Sequence, residues 1–296
     1  GLVVAVVGAA ALIDPATEVP LYVTSSAVVV EARIANEEMV MQIDTAYAGA
    51  PVISGPALAS AVGGTVQERF DAPLGPSTSK PLAEFAERNQ CTSYTAGCKK
   101  KVETAGGVQE ERAFLWQCDA IELATKAGYR GMRRLAAEVV MGSAEAAPHI
   151  LTIDYLRDVS PCVFWKMQTL EMPRGVRNAW LSTQFQMQPL KLHAGAPVVT
   201  VYVQDTPYQL LVDTGAPFAC MLFKPPPAGA SARKGIQDAR GKGVPAASLT
   251  KTVRIGRRSF SVPVLYSSAG GPDGLLGLRI LEQLDVYLGT DTIGFA

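Results

Sequence analysis

Two carboxylates in this chain stand in the same local setting. Asp44 closes the run Met39-Val40-Met41-Gln42-Ile43-Asp44-Thr45-Ala46, and Asp213 closes Tyr208-Gln209-Leu210-Leu211-Val212-Asp213-Thr214-Gly215. An apolar stretch precedes each run, at 28–34 and at 198–203. Laying Asp213 on Asp44 aligns strand, turn, strand and carboxylate without a gap. The chemistry follows from the residue types. Two carboxylates held face to face about 3 Å apart cannot both ionise comfortably, so such a pair shares one proton. The ionised oxygen can take a proton from a water, which attacks an amide carbonyl while the protonated partner donates to the carbonyl oxygen. Thr45 and Thr214 each offer a short hydroxyl able to bond across to the other copy. Ala46 and Gly215, both small, let the backbone pass close with its N–H aimed at the carboxylate.

Other residues offer little competing chemistry. Zinc ligation needs tight Cys/His sets, and the two histidines, His149 and His193, are far apart and read as packing or surface residues. No metal and no cofactor is therefore expected. Of five cysteines, Cys91 and Cys98 are close enough in sequence to close a small loop, while Cys118, Cys162 and Cys220 have no such partner. Cys220 reads as a buried structural thiol. An odd thiol count with one candidate disulfide leans toward a secretory or organellar lumen. Trp116, Trp165 and Trp180 read as core or lobe-junction aromatics.

The elements that must position the two aspartates are mostly strands. Short apolar runs at 120–123 and 135–141 and a strand, Gly turn and alternating strand over 252–264 argue an all-β fold. The duplication continues past the carboxylates. Gly274-Leu275-Leu276-Gly277-Leu278-Arg279-Ile280-Leu281 precedes an apolar strand at 284–288, and its first-half partner is His149-Ile150-Leu151-Thr152-Ile153-Asp154-Tyr155-Leu156 before 162–166. Two repeats of this size predict two homologous lobes, residues 1–185 and 186–296, with a cleft between them. The first carries a long insertion over residues 54–114, with a helix expected at 81–88 and a lysine cluster at 99–101. The second has a basic loop over 225–248. Both loops are candidate surfaces for protein partners.

At 296 residues the chain is long enough for about two cores, and 48% hydrophobic with 18% charged residues places it among globular proteins. Lys+Arg 27 against Asp+Glu 27 leaves no basic excess, which argues against a nucleic-acid partner. Residues 2–12 are apolar but shorter than the roughly 20 needed to span a bilayer. They read as a strand, with the remnant of a targeting segment as the alternative and as the one route to membrane contact.

On these motifs the sequence resembles the pepsin-like aspartic proteases, a bilobal all-β family with one Asp-Thr/Ser-Gly motif per lobe. The second half carries Leu211-Val212-Asp213-Thr214-Gly215-Ala216-Pro217 and Asp273-Gly274-Leu275-Leu276-Gly277-Leu278. The resemblance implies Asp44 and Asp213 as a catalytic pair, Thr45 and Thr214 as braces, and a peptide or protein substrate in the interlobe cleft. It also implies a flap over the cleft, for which Tyr94 is the candidate. The first half departs from the pattern. Ala46 stands where glycine is expected, and His149 and Thr152 stand where Gly274 and Gly277 lie in the second half, so distortion around Asp44 is expected. Two functions compete: an aspartic endopeptidase, and a non-catalytic pepsin-fold subunit of a larger assembly.

Overall fold

The computed structural model describes residues 17–34, 37–49, 51–54, 98–104, 107–118, 121–131, 135–141, 149–158, 161–173, 180–181, 183–236, 243–268 and 272–296. Tyr94, Cys91, residues 2–12, the helix expected at 81–88 and most of the 54–114 insertion lie outside them.

Period-two alternation builds the two hairpins that carry the aspartates. Along Glu37–Asp44, Met41 and Ile43 are fully buried while Val40, Gln42 and Asp44 face the other way. Along Thr206–Asp213, Leu210 and Val212 go into the core and Leu211 and Asp213 face away from it. The first strand pairs with Val28–Ile34 and the second with Ala196–Val203, both antiparallel. Gln204 and Asp205 form the two-residue turn of the second hairpin with φ of 48° and 65°. Both angles positive is the turn whose twist matches that of paired strands.

The repeat seen in sequence is a repeat of register. His149–Thr152 runs parallel to the first aspartate strand, pairing Thr152 with Asp44 and His149 with Met41. Gly274–Gly277 runs parallel to the second, pairing Gly277 with Asp213 and Gly274 with Leu210. A short helix follows each, Ile153–Asp158 and Leu278–Leu281, and then a strand, Cys162–Trp165 and Asp285–Leu288. Those last two strands pair antiparallel with each other, Phe164 against Val286, at the centre of a six-stranded sheet to which each half contributes three strands. A ten-stranded and an eight-stranded sheet, one from each half, complete the described strands. The chain adopts the expected β architecture, with the order hairpin, Asp-Thr turn, parallel strand, short helix and strand repeated in each half.

One apolar core runs through both halves, from Val28, Met41, Ile43 and Phe164 to Val201, Val212, Leu276 and Val286. Trp165 lies in the shared sheet, where its indole N–H donates to Glu171 Oε2 at 2.9 Å and its ring packs near Phe185. Trp180 is not a core residue: it is 47% exposed. Residues 99–101 lie on a strand, Cys98–Thr104, that pairs with Gly107–Cys118. From the basic loop, Ser231–Arg233 adds an exposed edge strand, and the Arg233 guanidinium donates to Ser248 Oγ at 2.6 Å.

Candidate active site

Each aspartate ends a strand where the chain turns sharply, and the turns match bond for bond. The Ala46 N–H donates to Asp44 Oδ1 at 2.9 Å, and the Gly215 N–H donates to Asp213 Oδ1 at 2.9 Å. Alanine in the third position therefore makes the contact that glycine makes in the other copy. The threonines lock the two turns together. Thr45 Oγ1 donates to the Val212 carbonyl at 2.7 Å and accepts from the Thr214 N–H at 3.1 Å. Thr214 Oγ1 donates to the Ile43 carbonyl at 2.7 Å and accepts from the Thr45 N–H at 3.1 Å. Both side chains are buried, so four hydrogen bonds cross between the halves out of reach of water.

The two carboxylates converge on one point. A Cβ added to Gly215 would lie 3.1 Å from Asp44 Oδ2 and 3.2 Å from Asp213 Oδ1. Both side chains are only half-buried. Desolvation nevertheless raises the Asp44 carboxyl above the ordinary carboxylate value, against the opposing N–H groups of Ala46 and Tyr47. Desolvation also raises Asp213, the negative charge of Asp44 raises it further, and the N–H groups of Gly215 and Ala216 oppose both. A neighbouring like charge is the signature of two acids sharing a proton.

The expected distortion around Asp44 is absent from the turn itself, and the reason lies beneath it. In the second half a Cβ on Gly277 would meet the Phe218 carbonyl at 2.2 Å, so only glycine fits there. In the first half Thr152 holds the same register position, and its hydroxyl donates at 2.6 Å to the carbonyl of Gly49, the counterpart of Phe218. Gly49 has φ of 108°, a conformation that side chains resist. Its N–H donates to Asp154 Oδ2 at 2.6 Å. A glycine in the upper loop thus replaces the glycine missing from the strand below. The remaining support is common to both: the Ile153 N–H donates to the Tyr47 carbonyl at 3.1 Å, and the Leu278 N–H donates to the Ala216 carbonyl at 2.8 Å.

Residues 193–289 match the retroviral aspartyl protease family. Over these residues, about a third of the chain, the sequence is similar to aspartyl proteases. The aspartic-protease match takes in the Asp213-Thr214-Gly215 turn and the Gly274–Gly277 strand beneath it. Among solved structures, the chain is similar to a retropepsin-like aspartic protease from Rickettsia conorii, with 19% identity and a TM-score of 0.30 over 38% of this chain and 93% of that one. It is also similar to an aspartic proteinase from Irpex lacteus, with 10% identity and a TM-score of 0.47 over 94% of this chain and 96% of that one. No curated protein matches the chain.

The other sequence candidates lie away from this aspartate pair. His149 is half-buried against Met41, where desolvation lowers its pKa, and His193 is exposed on the edge strand Lys191–His193. Cys162 and Cys220 are free, buried thiols, both pushed up to about 12 by burial. Among the described residues no group of three His, Cys, Asp or Glu side chains is placed to hold a metal ion. Sequence reasoning passed over Gln42, whose side-chain nitrogen lies 3.1 Å from the point on which the carboxylates converge. The signal was available: in the aligned repeats Gln42 faces Leu211, a polar residue matched to an apolar one.

Proposed function

We propose that the chain is an aspartic endopeptidase, with Asp44 and Asp213 as its catalytic pair and Thr45, Thr214, Ala46 and Gly215 as the frame that holds them. The observation that carries this reading is the convergence of the two carboxylates on one point, under four buried hydrogen bonds between the turns.

A water between the carboxylates donates a proton to the ionised one and attacks the carbonyl carbon of a bound peptide. The protonated carboxyl donates to the carbonyl oxygen, giving a gem-diol hydrate. Return of a proton to the amide nitrogen breaks the C–N bond and releases an amine and a carboxylic acid. The geometry suits this because the carboxylates are only half-buried while backbone N–H groups fix one oxygen of each. Fixed orientation of reacting groups is a large part of catalysis. The substrate is then a peptide or an unfolded protein segment in the cleft, and the polar loops 54–114 and 225–248 are where further protein contacts would form.

The test is cleavage of a mixed peptide library between about pH 3 and pH 7, with and without a statine-type inhibitor, beside Asp213→Asn and Asp44→Asn. Inhibitor-sensitive cleavage lost in both variants is the expected result. A folded protein that cleaves nothing across that range and ignores the inhibitor would overturn the reading and leave the non-catalytic pepsin-fold subunit in its place.

A further inference from the structure

The strand that ends at Asp44 presents a second polar group to the carboxylate pair. Gln42 stands two residues before Asp44, so the strand period puts both on the same face. Its neighbours in register are Val29 on one side and Ile150 on the other, both apolar. Its amide makes no hydrogen bond to another described residue. Hydrocarbon lies on both flanks of this half-buried side chain, and its amide extends toward the aspartates. There its nitrogen is 3.1 Å from the point that lies 3.1 Å from Asp44 Oδ2 and 3.2 Å from Asp213 Oδ1. Three polar atoms from two turns and one strand therefore surround a single small site. The matching residue of the second half, Leu211, offers no hydrogen bond, so the third group is present on one side only.

We propose that Gln42 is a further catalytic residue beside the aspartate pair, its side-chain amide donating a hydrogen bond into the space between the carboxylates, first to the nucleophilic water and then to the hydrate oxygen. This rests on the endopeptidase reading above. An amide N–H is neutral and does not titrate, so it remains a donor at every pH at which the pair works. A donor held where negative charge develops acts without reorganising during the reaction. On this proposal the amide, sharing that point with Asp44 Oδ2, favours the ionised form of Asp44 and leaves the shared proton on Asp213. That makes Asp44 the base toward water and Asp213 the acid toward the carbonyl. The direction agrees with the charge of Asp44 being a cause of the raised Asp213.

The experiment uses the full chain, wild type and Gln42→Leu, the leucine copying position 211. The carboxyl groups of both aspartates are titrated by ¹³C NMR without substrate, and the affinity of a statine-type peptide inhibitor is measured in parallel. The expected result is an upward move of the second ionisation of the pair in Gln42→Leu, because a donor to the ionised form is lost, with inhibitor affinity weakened about tenfold. Gln42→Met, of similar length, serves if the leucine variant fails to fold. An unmoved titration overturns the proposal. If the wild-type protein neither binds the inhibitor nor cleaves peptide, the endopeptidase reading fails separately. The titration then still decides whether Gln42 serves the pair.

Discussion

Replacing Thr214 with valine keeps the volume and β-branch of the side chain and removes only its hydroxyl. That hydroxyl donates to the Ile43 carbonyl at 2.7 Å and accepts from the Thr45 N–H at 3.1 Å. Thr214 is fully buried, so neither group gains water in exchange. A buried backbone group left unsatisfied costs about 1–3 kcal/mol, and two are stranded here, so about 3 kcal/mol of stability should be lost. Thr45→Val strands a different pair, the Val212 carbonyl and the Thr214 N–H, at similar cost. The two losses should not add. Once one brace is gone the turns can part and admit water, so the double variant should lose less than the sum of the singles. Urea denaturation monitored by tryptophan fluorescence gives the midpoints, with unchanged slopes showing that the unfolding reaction is the same. Thr206→Val, at an exposed position, is the control. A Thr214→Val variant no less stable than that control would refute the reasoning, as would strict additivity of the two singles.

Three further outcomes are expected. The folded protein binds the Asp213 proton more tightly than the unfolded chain, since burial and Asp44 raise its pKa. The stability this contributes is complete below the unfolded carboxylate value near pH 3.9 and is lost as pH rises through the folded value. Asp213→Asn cannot ionise, so it should melt higher than wild type at pH 7 and equally at pH 3; parallel melting curves against pH would contradict the burial argument. Gly277→Ala should fold poorly, because its methyl would meet the Phe218 carbonyl at 2.2 Å, whereas Thr152→Gly should cost about 1 kcal/mol for the hydrogen bond to Gly49. Thermal melts of the two variants side by side check that asymmetry. Gly215→Ala should lower kcat at least about tenfold with little loss of stability, since its methyl would occupy the point between Asp44, Asp213 and Gln42. Peptide cleavage and melting, measured together, would detect the opposite pattern.

What the sequence determined alone was the local order. Alternating apolar residues fix which face of each aspartate strand is buried, and strand ends fix where the carboxylates stand, because both depend on near neighbours in the chain. The repeat therefore carried over into register, pairing Asp44 with Thr152 and Asp213 with Gly277. The tertiary structure decided what depends on distance in space. From sequence, Thr152 looked like a defect, because its relation to Gly49 arises only when the loop folds over the strand. Gln42 looked like an ordinary strand residue, since the point its amide approaches lies at Gly215, in the other half. Trp180 looked like a core or lobe-junction aromatic and is 47% exposed, because an aromatic side chain is buried only where the fold supplies a surface to cover it. Above all, one Asp-Thr turn is only a turn. The two become a candidate site because Cys162–Trp165 and Asp285–Leu288 join the halves in one sheet and the threonines bond across the join.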